Sequence, residues 1–317
     1  MNLTNLMVTT PMTTNTNLPT LIVIVGPTGS GKTDVSIELA EYFSAPIIST
    51  DSRQVFKGLP IGTAQPSEEQ LTRVKHYFIA DREITDEYTC GMFEKEALEL
   101  LEKLFKTHDY VVAVGGSGLY VDALCNGLDQ LPLADGATRE QLSYRLEHNG
   151  IDDLLKELRE LDEDYYNQVD RHNPARVMRA LEVCLVSGRP YSQQRKCQKA
   201  ERPFRIVKIG INMNREILYD RINRRVDMMI EAGLEQEARA VYPHRSLNSL
   251  QTVGYKEMFE YFDGNISYEE AVELIKRNSR RYAKRQLTWF NRDKEIEWFE
   301  NKEIKKMQNF LEKFAEK

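Results

Sequence analysis

Short runs of apolar, β-branched residues recur along this chain, and turn residues or charged segments separate them. The clearest runs cover residues 21–25, 45–51, 110–114 and 205–211. Runs of this length predict strands that are buried within a sheet. The segments between the first three runs carry apolar residues at helical spacing. This alternation predicts an α/β fold in which helices cover both faces of a parallel sheet.

The helical spacing is clearest in two segments. After the first run, apolar residues recur at Val35, Ile37, Leu39, Ala40 and Phe43. Residues 89–106 place a second set on one helical face, namely Phe93, Ala97, Leu100, Leu101 and Leu104. Residues 67–80 predict a helix start followed by a short extended piece. Residues 214–291 predict helices, and residues 294–317 predict a charged helical tail.

Residues 123–198 differ from the rest, because they predict helices and turns but no strand. A helical block between two strands of one sheet predicts an inserted domain that acts as a lid. We therefore predict three parts. They are a disordered tail over residues 1–20, a P-loop core over residues 21–122 plus 199–317, and a helical insertion over residues 123–198.

The 317 residues are 41% hydrophobic and 29% charged, which is typical of a soluble globular protein. The net charge is −6, so nucleic acid must bind at local basic patches rather than through bulk charge. The four cysteines show no C-x-x-C or zinc spacing, which indicates reduced thiols in a cytoplasmic protein. No apolar run is long enough to cross a membrane, and the N-terminus lacks the features of a signal peptide.

The most specific motif is GPTGSGKT at residues 26–33, between the first predicted strand and the first predicted helix. A strand, a glycine-rich loop and a helix in this order form a P-loop, whose backbone N–H groups surround a phosphate. Lys32 adds a positive charge, and Thr33 offers a hydroxyl to Mg²⁺. The alternative is a glycine-rich turn with a solvated lysine, but that does not explain Lys32 and Thr33 at the start of the helix.

Asp51 closes the second predicted strand, and ligands of open α/β sheets bind beyond the carboxyl ends of the strands. Its carboxylate is therefore a candidate general base or a magnesium ligand through water. The alternative is a turn or N-cap aspartate, because Asp51 and Ser52 also form a turn signal. The strand over residues 110–114 ends in GGSG rather than in an acid. This disfavours motor ATPases and GTPases and leaves small kinases and less usual phosphate chemistry.

Three basic segments stand out in this acidic chain. Residues 173–179 combine a helix N-cap and a proline with two arginines, and residues 220–226 place Arg221 and Arg225 one helical turn apart. Residues 276–292 carry seven basic residues, no acid and three aromatic side chains. A basic helix with interleaved aromatics suits RNA phosphates and stacked bases, and a solvated face is the alternative.

Together these segments resemble the tRNA dimethylallyltransferase (tRNA isopentenyltransferase) family. The resembling motifs are GPTGSGKT at 26–33, STDSRQVFKGLPIGTAQP at 49–66, GGSGLYVDAL at 115–124, NPARVMRALEV at 173–183, QTVGYKE at 251–257 and AKRQLTWFNR at 283–292. They occur in family order over nearly the whole chain. Gln65 and Tyr77 depart from the family, which often has lysine and histidine there.

The resemblance implies transfer of a dimethylallyl group from dimethylallyl diphosphate to the exocyclic amine of the adenosine immediately 3′ of the tRNA anticodon. The P-loop would bind the donor's diphosphate rather than ATP, with Mg²⁺ on Thr33. Lys32 and either Arg221 or Arg225 would stabilise the leaving diphosphate, and Asp51 would accept the amine proton. The target base would be flipped out of the anticodon loop.

Two sets of binding residues follow from the resemblance. The diphosphate-binding set is Gly26, Pro27, Thr28, Gly29, Ser30, Gly31, Lys32 and Thr33. The set that would bind the anticodon stem-loop is Asp51, Ser52, Arg53, Gln54, Ser117, Arg139, Ala175, Arg176, Val177, Met178, Arg179, Gly254, Tyr255, Lys256, Lys284 and Arg285. The expected partners are tRNA and dimethylallyl diphosphate, and the chain is expected to be a monomer without a membrane partner.

Two other functions share part of this pattern. A P-loop small-molecule or nucleoside kinase has the same loop, lysine and sheet, but it gives no role to the basic segment at residues 276–292. A non-catalytic RNA-binding protein with a vestigial P-loop is disfavoured because Lys32, Thr33 and Asp51 are intact.

Overall fold

The computed structural model describes residues 18–129, 131–132, 135–196 and 198–315. The chain divides into two compact units, Met1–Cys125 with Arg202–Lys317, and Asn126–Glu201. The second unit begins and ends three residues later than the insertion predicted at 123–198. The predicted tail lies mostly outside the described residues, and Thr20 already belongs to the first strand.

A parallel sheet forms the centre of the first unit, so the predicted α/β fold is confirmed. Its strands are β1 (Thr20–Val25), β2 (Ile47–Ser49), β3 (His76–Tyr77), β4 (Tyr110–Gly115), β5 (Arg205–Ile211) and β6 (Ile296–Phe299). Their spatial order is β3-β2-β4-β1-β5-β6, and every pairing is parallel. Strand β1 is central, because Thr20 is paired with Tyr110 of β4 on one side and with Arg205 of β5 on the other.

Residues of β1 alternate between two separate hydrophobic cores, one on each face of the sheet. Leu21, Val23 and Val25 pack into one core, whereas Ile22 and Ile24 pack into the other. All five side chains are buried. A strand buried on both faces needs apolar residues at every position, and this explains why the run at 21–25 is continuous rather than alternating.

The helices, in chain order, are α1 (Lys32–Tyr42), α2 (Glu68–Arg73), α3 (Cys90–Leu104), α4 (Gly118–Asn126), α5 (Gly136–Asn149), α6 (Ile151–Leu161), α7 (Glu163–Gln168), α8 (Pro174–Ser187), α9 (Tyr191–Gln194), α10 (Arg215–Glu231), α11 (Leu234–Val241), α12 (Tyr255–Phe262), α13 (Tyr268–Phe290) and α14 (Ile304–Ala315). The helix and short strand predicted over residues 67–80 are present as α2 and β3. The helix predicted over 89–106 is present as α3, with Thr89 as its N-cap.

The prediction of a wholly helical tail over residues 294–317 was wrong in its first part. Residues Ile296–Phe299 form β6, which extends the sheet beside β5. Four residues at a sheet edge are too few to show a period of their own in the sequence. Helix α14 follows, and its buried Met307 and Leu311 pack into the core that contains Ile22 and Ile24. The charged residues of this segment therefore form the outer face of a packed helix.

The secondary-structure elements among the described residues of the second unit are all helices, and the unit has its own core. Leu142, Leu154, Leu158 and Leu181 are fully buried and pack together. Helix α8 begins as the sequence predicts, because the Asn173 side chain accepts a hydrogen bond from the N–H of Arg176 and proline occupies the first helical turn.

Candidate active site

An open cavity of about 630 Å³ lies at the carboxyl ends of β1, β2 and β4, within the first unit. Volumes of this size are typical of small-molecule sites. The walls come from the P-loop, the segment after β2, the loop after β4, and one face each of α10 and α13. These elements are far apart in sequence, and the parallel sheet brings their ends together.

The P-loop connects β1 to α1 and forms one wall of the cavity. Gly29 and Gly31 have φ values of 81° and 90°, a backbone conformation that glycine adopts without a steric penalty. The predicted diphosphate-binding residues that line the cavity are Thr28, Gly29, Gly31, Lys32 and Thr33. Gly26, Pro27 and Ser30 belong to the loop but do not line the cavity, and Ser30 is fully buried.

Lys32 lies at the first position of α1, where its ammonium group meets the positive end of the helix. Its Nζ donates a hydrogen bond to the carbonyl oxygen of Pro27 at 2.8 Å. Burial, assisted by the charge of Arg225 and opposed by Asp51, lowers the pKa of Lys32 to about 7. The charged form of Lys32 is therefore poorly stabilised in the empty site, and a bound anion would stabilise it.

Asp51 lines the cavity, and its side chain also closes a turn. Its Oδ1 accepts hydrogen bonds from the N–H of Arg53 at 2.8 Å and from the N–H of Gln54 at 3.3 Å. Bonds of this kind fix the carboxylate at the end of β2. One carboxylate oxygen, Oδ1, is thus fixed by hydrogen bonds to the backbone.

Arg221 and Arg225 lie one turn apart on α10, and both line the cavity. The Arg221 guanidinium is next to the P-loop, because a Cβ placed on Gly31 would lie 3.6 Å from Arg221 Nη2. Arg225 is deeply placed, and burial lowers its pKa while the Asp51 charge raises it. Lys32, Arg221 and Arg225 therefore concentrate positive charge at the mouth of the P-loop.

Residues 51–54, which belong to the predicted tRNA-binding set, are held by several hydrogen bonds. The Gln54 amide donates to the carbonyl oxygen of Ala64 at 2.8 Å, and Arg53 Nη1 donates to the carbonyl oxygen of Asn248 at 2.6 Å. The N–H of Ser52 donates to Ser117 Oγ at 3.0 Å, which ties this segment to the loop after β4. Arg53 and Gln54 line the cavity, whereas Ser52 and Ser117 are not among its lining residues.

Gln65 stands where the resembling family often has lysine. Its side chain has a structural role in this chain. Its Nε2 donates to the carbonyl oxygens of Gln54 at 3.0 Å and of Phe56 at 2.8 Å. The amide therefore supports the segment that carries Asp51, and it also lines the cavity.

Two predicted tRNA contacts are contradicted by burial. Val177 is fully buried in the core of the second unit. Tyr255 is also fully buried, and its hydroxyl donates to Glu237 Oε1 at 2.6 Å. Neither side chain is accessible to RNA. Both lie inside motifs that carry the resemblance, and the sequence does not separate residues that pack in the core from residues that could bind a ligand.

The remaining predicted tRNA-binding residues occupy several environments. Ala175, Arg176, Lys256, Lys284 and Arg285 are exposed. Gly254 is buried at the cavity wall, and Met178 is partly buried. In the second unit, Arg139 and Arg179 form ion pairs with the buried Glu182, at 2.7 Å and 3.2 Å. These two arginines therefore also compensate a buried charge.

Sequence reasoning missed a stripe of cavity-lining residues on α13. Ile275, Ser279, Tyr282 and Gln286 all line the cavity, and their spacing of four, three and four residues places them on one helical face. Burial raises the pKa of Tyr282 to about 12, so its hydroxyl stays protonated. The available signal was a row of uncharged positions at helical spacing that begins at Ile275, just before the basic segment 276–292.

Trp289 shares an apolar spacing with Leu287 and Phe290, which predicts core packing rather than base stacking, and its ring packs against protein. Its indole lies over Gly118, where an added Cβ would be 2.3 Å from the ring, and its Nε1 donates to Asp122 Oδ2 at 3.1 Å. The Arg292 guanidinium stacks 4.0 Å from the ring centroid. The side chain is partly buried beside the core.

We expect Trp289→Ala to lower the free energy of unfolding by about 3 kcal/mol, because it removes a large packed ring and leaves Asp122 without a donor. Thermal or urea unfolding measures this. Arg292→Ala is the control, since it removes the stacked cation but keeps the indole. Unchanged stability together with weakened tRNA binding would instead assign Trp289 to base stacking.

Comparison with known proteins gives consistent matches over most of the chain. The family model "IPP transferase" matches residues 54–293. A tRNA dimethylallyltransferase 1 of Bacteroides fragilis is 52% identical over 293 residues, covering 92% of this chain and 97% of that protein. A tRNA dimethylallyltransferase 2 of Porphyromonas gingivalis is 54% identical over 280 residues, covering 88% and 93%.

Solved structures agree with these relatives. A full-length tRNA isopentenylpyrophosphate transferase from Bacillus halodurans matches with a TM-score of 0.70 and 37% identity, covering 94% of this chain and 97% of that one. A eukaryotic dimethylallyltransferase acting on tRNA matches with a TM-score of 0.76 and 26% identity, covering 90% and 75%. The α/β fold of this chain is thus shared with solved structures of tRNA-modifying transferases.

Proposed function

This chain belongs to the tRNA dimethylallyltransferase family, and we propose that it transfers a dimethylallyl group from dimethylallyl diphosphate to the exocyclic amine of the adenosine immediately 3′ of the tRNA anticodon. The chain is an enzyme of tRNA modification. The observation that carries the finer proposal is one cavity that combines a P-loop, a cluster of cations and the Asp51 carboxylate with an apolar wall.

The apolar wall favours prenyl transfer over phosphate transfer. The cavity is lined by Val226, Met229, Leu234, Val253 and Ile275 in addition to the charged groups. A branched five-carbon chain matches such a surface, and its burial excludes water from the reacting carbon. Gly115 and Gly116 stand at the end of β4, where motor ATPases and GTPases carry the acid that holds their metal, so those two classes are disfavoured. A small-molecule kinase gives no role to the basic segment at residues 276–292.

The donor end of the cavity stabilises the leaving group. As the bond between the allylic carbon and the diphosphate oxygen breaks, negative charge grows on the diphosphate. The P-loop, Lys32 and the two α10 arginines, Arg221 and Arg225, line the same cavity, and we propose that they stabilise that charge. Preorganised donors of this kind are the largest single source of rate enhancement in many enzymes.

The acceptor end must remove a proton. The lone pair of the adenine amine is delocalised into the ring, so the amine is a weak nucleophile. It forms the new bond to the allylic carbon as diphosphate leaves, and the nitrogen then carries an extra proton. Asp51, held at the end of β2, accepts that proton. The base reaches this position by flipping out of the anticodon loop, at an expense of a few kcal/mol.

Mg²⁺ is the proposed cofactor. The Thr33 hydroxyl and the Asp51 carboxylate line the same cavity, and oxygen donors are the ligands that Mg²⁺ prefers. Within the described ranges, no group of three or more His, Cys, Asp or Glu side chains is placed to hold a metal. The donor set therefore suits an ion that is carried in part by the substrate's phosphates. When bound, such an ion neutralises charge on the diphosphate oxygens.

We expect incubation with unmodified tRNA and labelled dimethylallyl diphosphate to transfer the label to tRNA with release of diphosphate. A tRNA that carries guanosine in place of the target adenosine is the matched control and should accept no label. Labelled ATP should transfer no phosphate to either tRNA or a nucleoside. Phosphate transfer without prenylation would support the kinase alternative.

The exposed basic side chains are proposed to bind the phosphates of the anticodon arm. We expect the triple variant Arg176→Ala/Lys284→Ala/Arg285→Ala to weaken tRNA binding. The slope of log affinity against log salt should become shallower by about 0.7–0.9 for each lost contact. Arg179 is left intact because it pairs with the buried Glu182. Filter binding across salt concentrations measures the slope.

The control is Lys95→Ala/Lys103→Ala/Lys106→Ala, which removes the same charge from exposed positions on and just after α3. Diphosphate affinity should be unchanged in both variants. Equal salt slopes in both variants would assign the first set to a solvated face.

The other expected partners remain part of the proposal. None of the helices in the described part of the chain has the length and apolarity that a bilayer crossing requires. We propose a monomer that acts on tRNA in the cytoplasm, and sedimentation at working concentrations tests the oligomeric state.

A further inference from the structure

Gln286 joins the two loops that frame the donor end of the cavity. Its Oε1 accepts a hydrogen bond from the N–H of Thr28, in the P-loop, at 2.8 Å. Its Nε2 donates a hydrogen bond to the carbonyl oxygen of Gly116, in the loop after β4, at 2.9 Å. The residue is only 6% exposed. Both halves of one amide are thus used to bridge backbone groups that lie 88 residues apart in sequence.

The Gln286 amide occupies the space that a side chain at position 116 would take. A Cβ at position 116 would lie 2.1 Å from Gln286 Nε2, and the next protein atom outside this side chain, the carbonyl oxygen of Gly26, would be 3.7 Å away. The Gln286 amide is therefore the main obstacle to a side chain at this point. This contact gives a physical reason for glycine at position 116, because the Gln286 amide of α13 packs directly against the Gly116 backbone.

The backbone N–H groups of the P-loop and of the start of α1 fall into two sets, those bonded to protein and those without a partner inside the helix. The N–H of Thr28 is bonded to Gln286, and the N–H of Ser30 donates to the Pro27 carbonyl oxygen at 3.3 Å. The first N–H groups of α1, which begins at Lys32, have no partner inside the helix. The entry half of the loop is thus held by protein, and the half that follows it is left for an anion.

We propose that Gln286 is a positioning residue of the donor site, which holds the P-loop in its diphosphate-binding shape by bridging Thr28 and Gly116. This inference rests on the proposed function, because it takes diphosphate as the ligand of the loop. Both polar atoms of the amide are bonded to protein backbone. The amide acts through the backbone of the P-loop, so it should affect the affinity for the donor more than the chemical step.

The test compares Gln286→Met with the parent enzyme. Methionine has a similar length, but it can neither accept from Thr28 nor donate to Gly116. We expect the KM for dimethylallyl diphosphate and the Kd for inorganic diphosphate to rise about tenfold or more, since buried backbone groups lose their partners. The kcat at saturating donor should change less than threefold, and tRNA affinity should stay within twofold. Calorimetry with Mg²⁺ and diphosphate gives the Kd without turnover.

The matched control is Asn278→Leu. Asn278 lies two turns earlier on α13, and its amide donates to Glu257 Oε1 at 2.7 Å, away from the P-loop. The substitution Asn278→Leu removes a hydrogen bond made by a side-chain amide of the same helix. It should therefore lower thermal stability with little change in the KM for dimethylallyl diphosphate. A Gln286→Met enzyme that melts earlier but keeps the parent KM and diphosphate Kd would show a merely structural amide and overturn the inference.

A second variant reaches the same bridge from the other side. Gly116→Ala should displace the amide and reproduce the rise in KM, and the effect should be smaller when Gly116→Ala is introduced into Gln286→Ala than into the parent. Additive effects would contradict the proposed bridge. If the parent itself neither binds diphosphate nor transfers the prenyl group, the proposed function fails. If the parent does both and the variants match it, only the role of Gln286 fails.

Discussion

Asp51→Asn is expected to lower the rate of dimethylallyl transfer by about 10²–10⁴-fold, the usual range for loss of acid–base assistance. The substitution is isosteric, and Asn Oδ1 can still accept the N–H groups of Arg53 and Gln54 that close the turn. It removes the basicity and leaves the geometry. Affinity for tRNA and for diphosphate should remain within a few-fold. Single-turnover transfer of labelled donor measures the chemical step.

Asp51→Ala separates the two roles of this residue. It removes the turn contacts together with the base, so we expect both lower thermal stability and slow transfer. If Asp51→Asn transfers at the parent rate while Asp51→Ala is merely less stable, Asp51 is a turn residue and another group accepts the proton.

Lys32→Ala is expected to lower turnover by about 10²–10³-fold, because a charge aimed at the leaving group is removed. Affinity for tRNA should stay within a few-fold, since the proposed contact of Lys32 is with the diphosphate and not with the RNA. Diphosphate should inhibit the parent competitively against dimethylallyl diphosphate. Productive phosphate transfer from ATP in the parent would contradict this assignment of the loop.

The low pKa of Lys32, about 7 in the empty site, gives this prediction a second measurement. Above pH 7 the empty site holds mostly neutral lysine, and a bound diphosphate restores its charge, so binding takes up protons. Calorimetry in two buffers with different ionisation enthalpies should detect the uptake at pH 8. Lys32→Ala should abolish it. An equal uptake in the variant would locate the proton elsewhere.

The same pKa shift has a defined effect on folding. Lysine in the unfolded chain keeps its proton up to about pH 10.4, whereas the folded site releases it above about pH 7. The unfolded state therefore binds more protons between these values, and the Lys32 contribution to stability rises with pH across this window. Below pH 7 the group is charged in both states, and its burial is destabilising. Lys32→Ala should flatten this part of the stability profile.

The sequence identifies elements whose signal is local. The continuous apolar run at 21–25 predicts a strand with two buried faces, and the structure has β1 there with a core on each side. The P-loop motif and Asp51 likewise reach the cavity as predicted, because each lies at the end of a strand. In each case the position along the chain fixes the position in the fold.

Other features depend on partners that no local pattern reveals. The strand β6 is stabilised by pairing with β5, which ends 85 residues earlier in the chain. Gln286 acquires its role only where α13 meets two loops. Val177 and Tyr255 stand in functional motifs, yet packing buries both. Periodicity reports that a helix face is apolar or polar, but not which surface that face meets.

The central position of β1 has a consequence for how this protein folds during synthesis. Strand β1 pairs with β4 and with β5, and Asn126–Glu201 leaves the ribosome between these two partners. The edge of β1 that pairs with β5 therefore stays unpaired until more than 180 further residues have been synthesised. Non-local pairing of this kind slows folding and prolongs the exposure of an aggregation-prone strand edge. The helical unit has local contacts and a core of its own, so it can fold during the wait and shorten the effective loop that β5 must close.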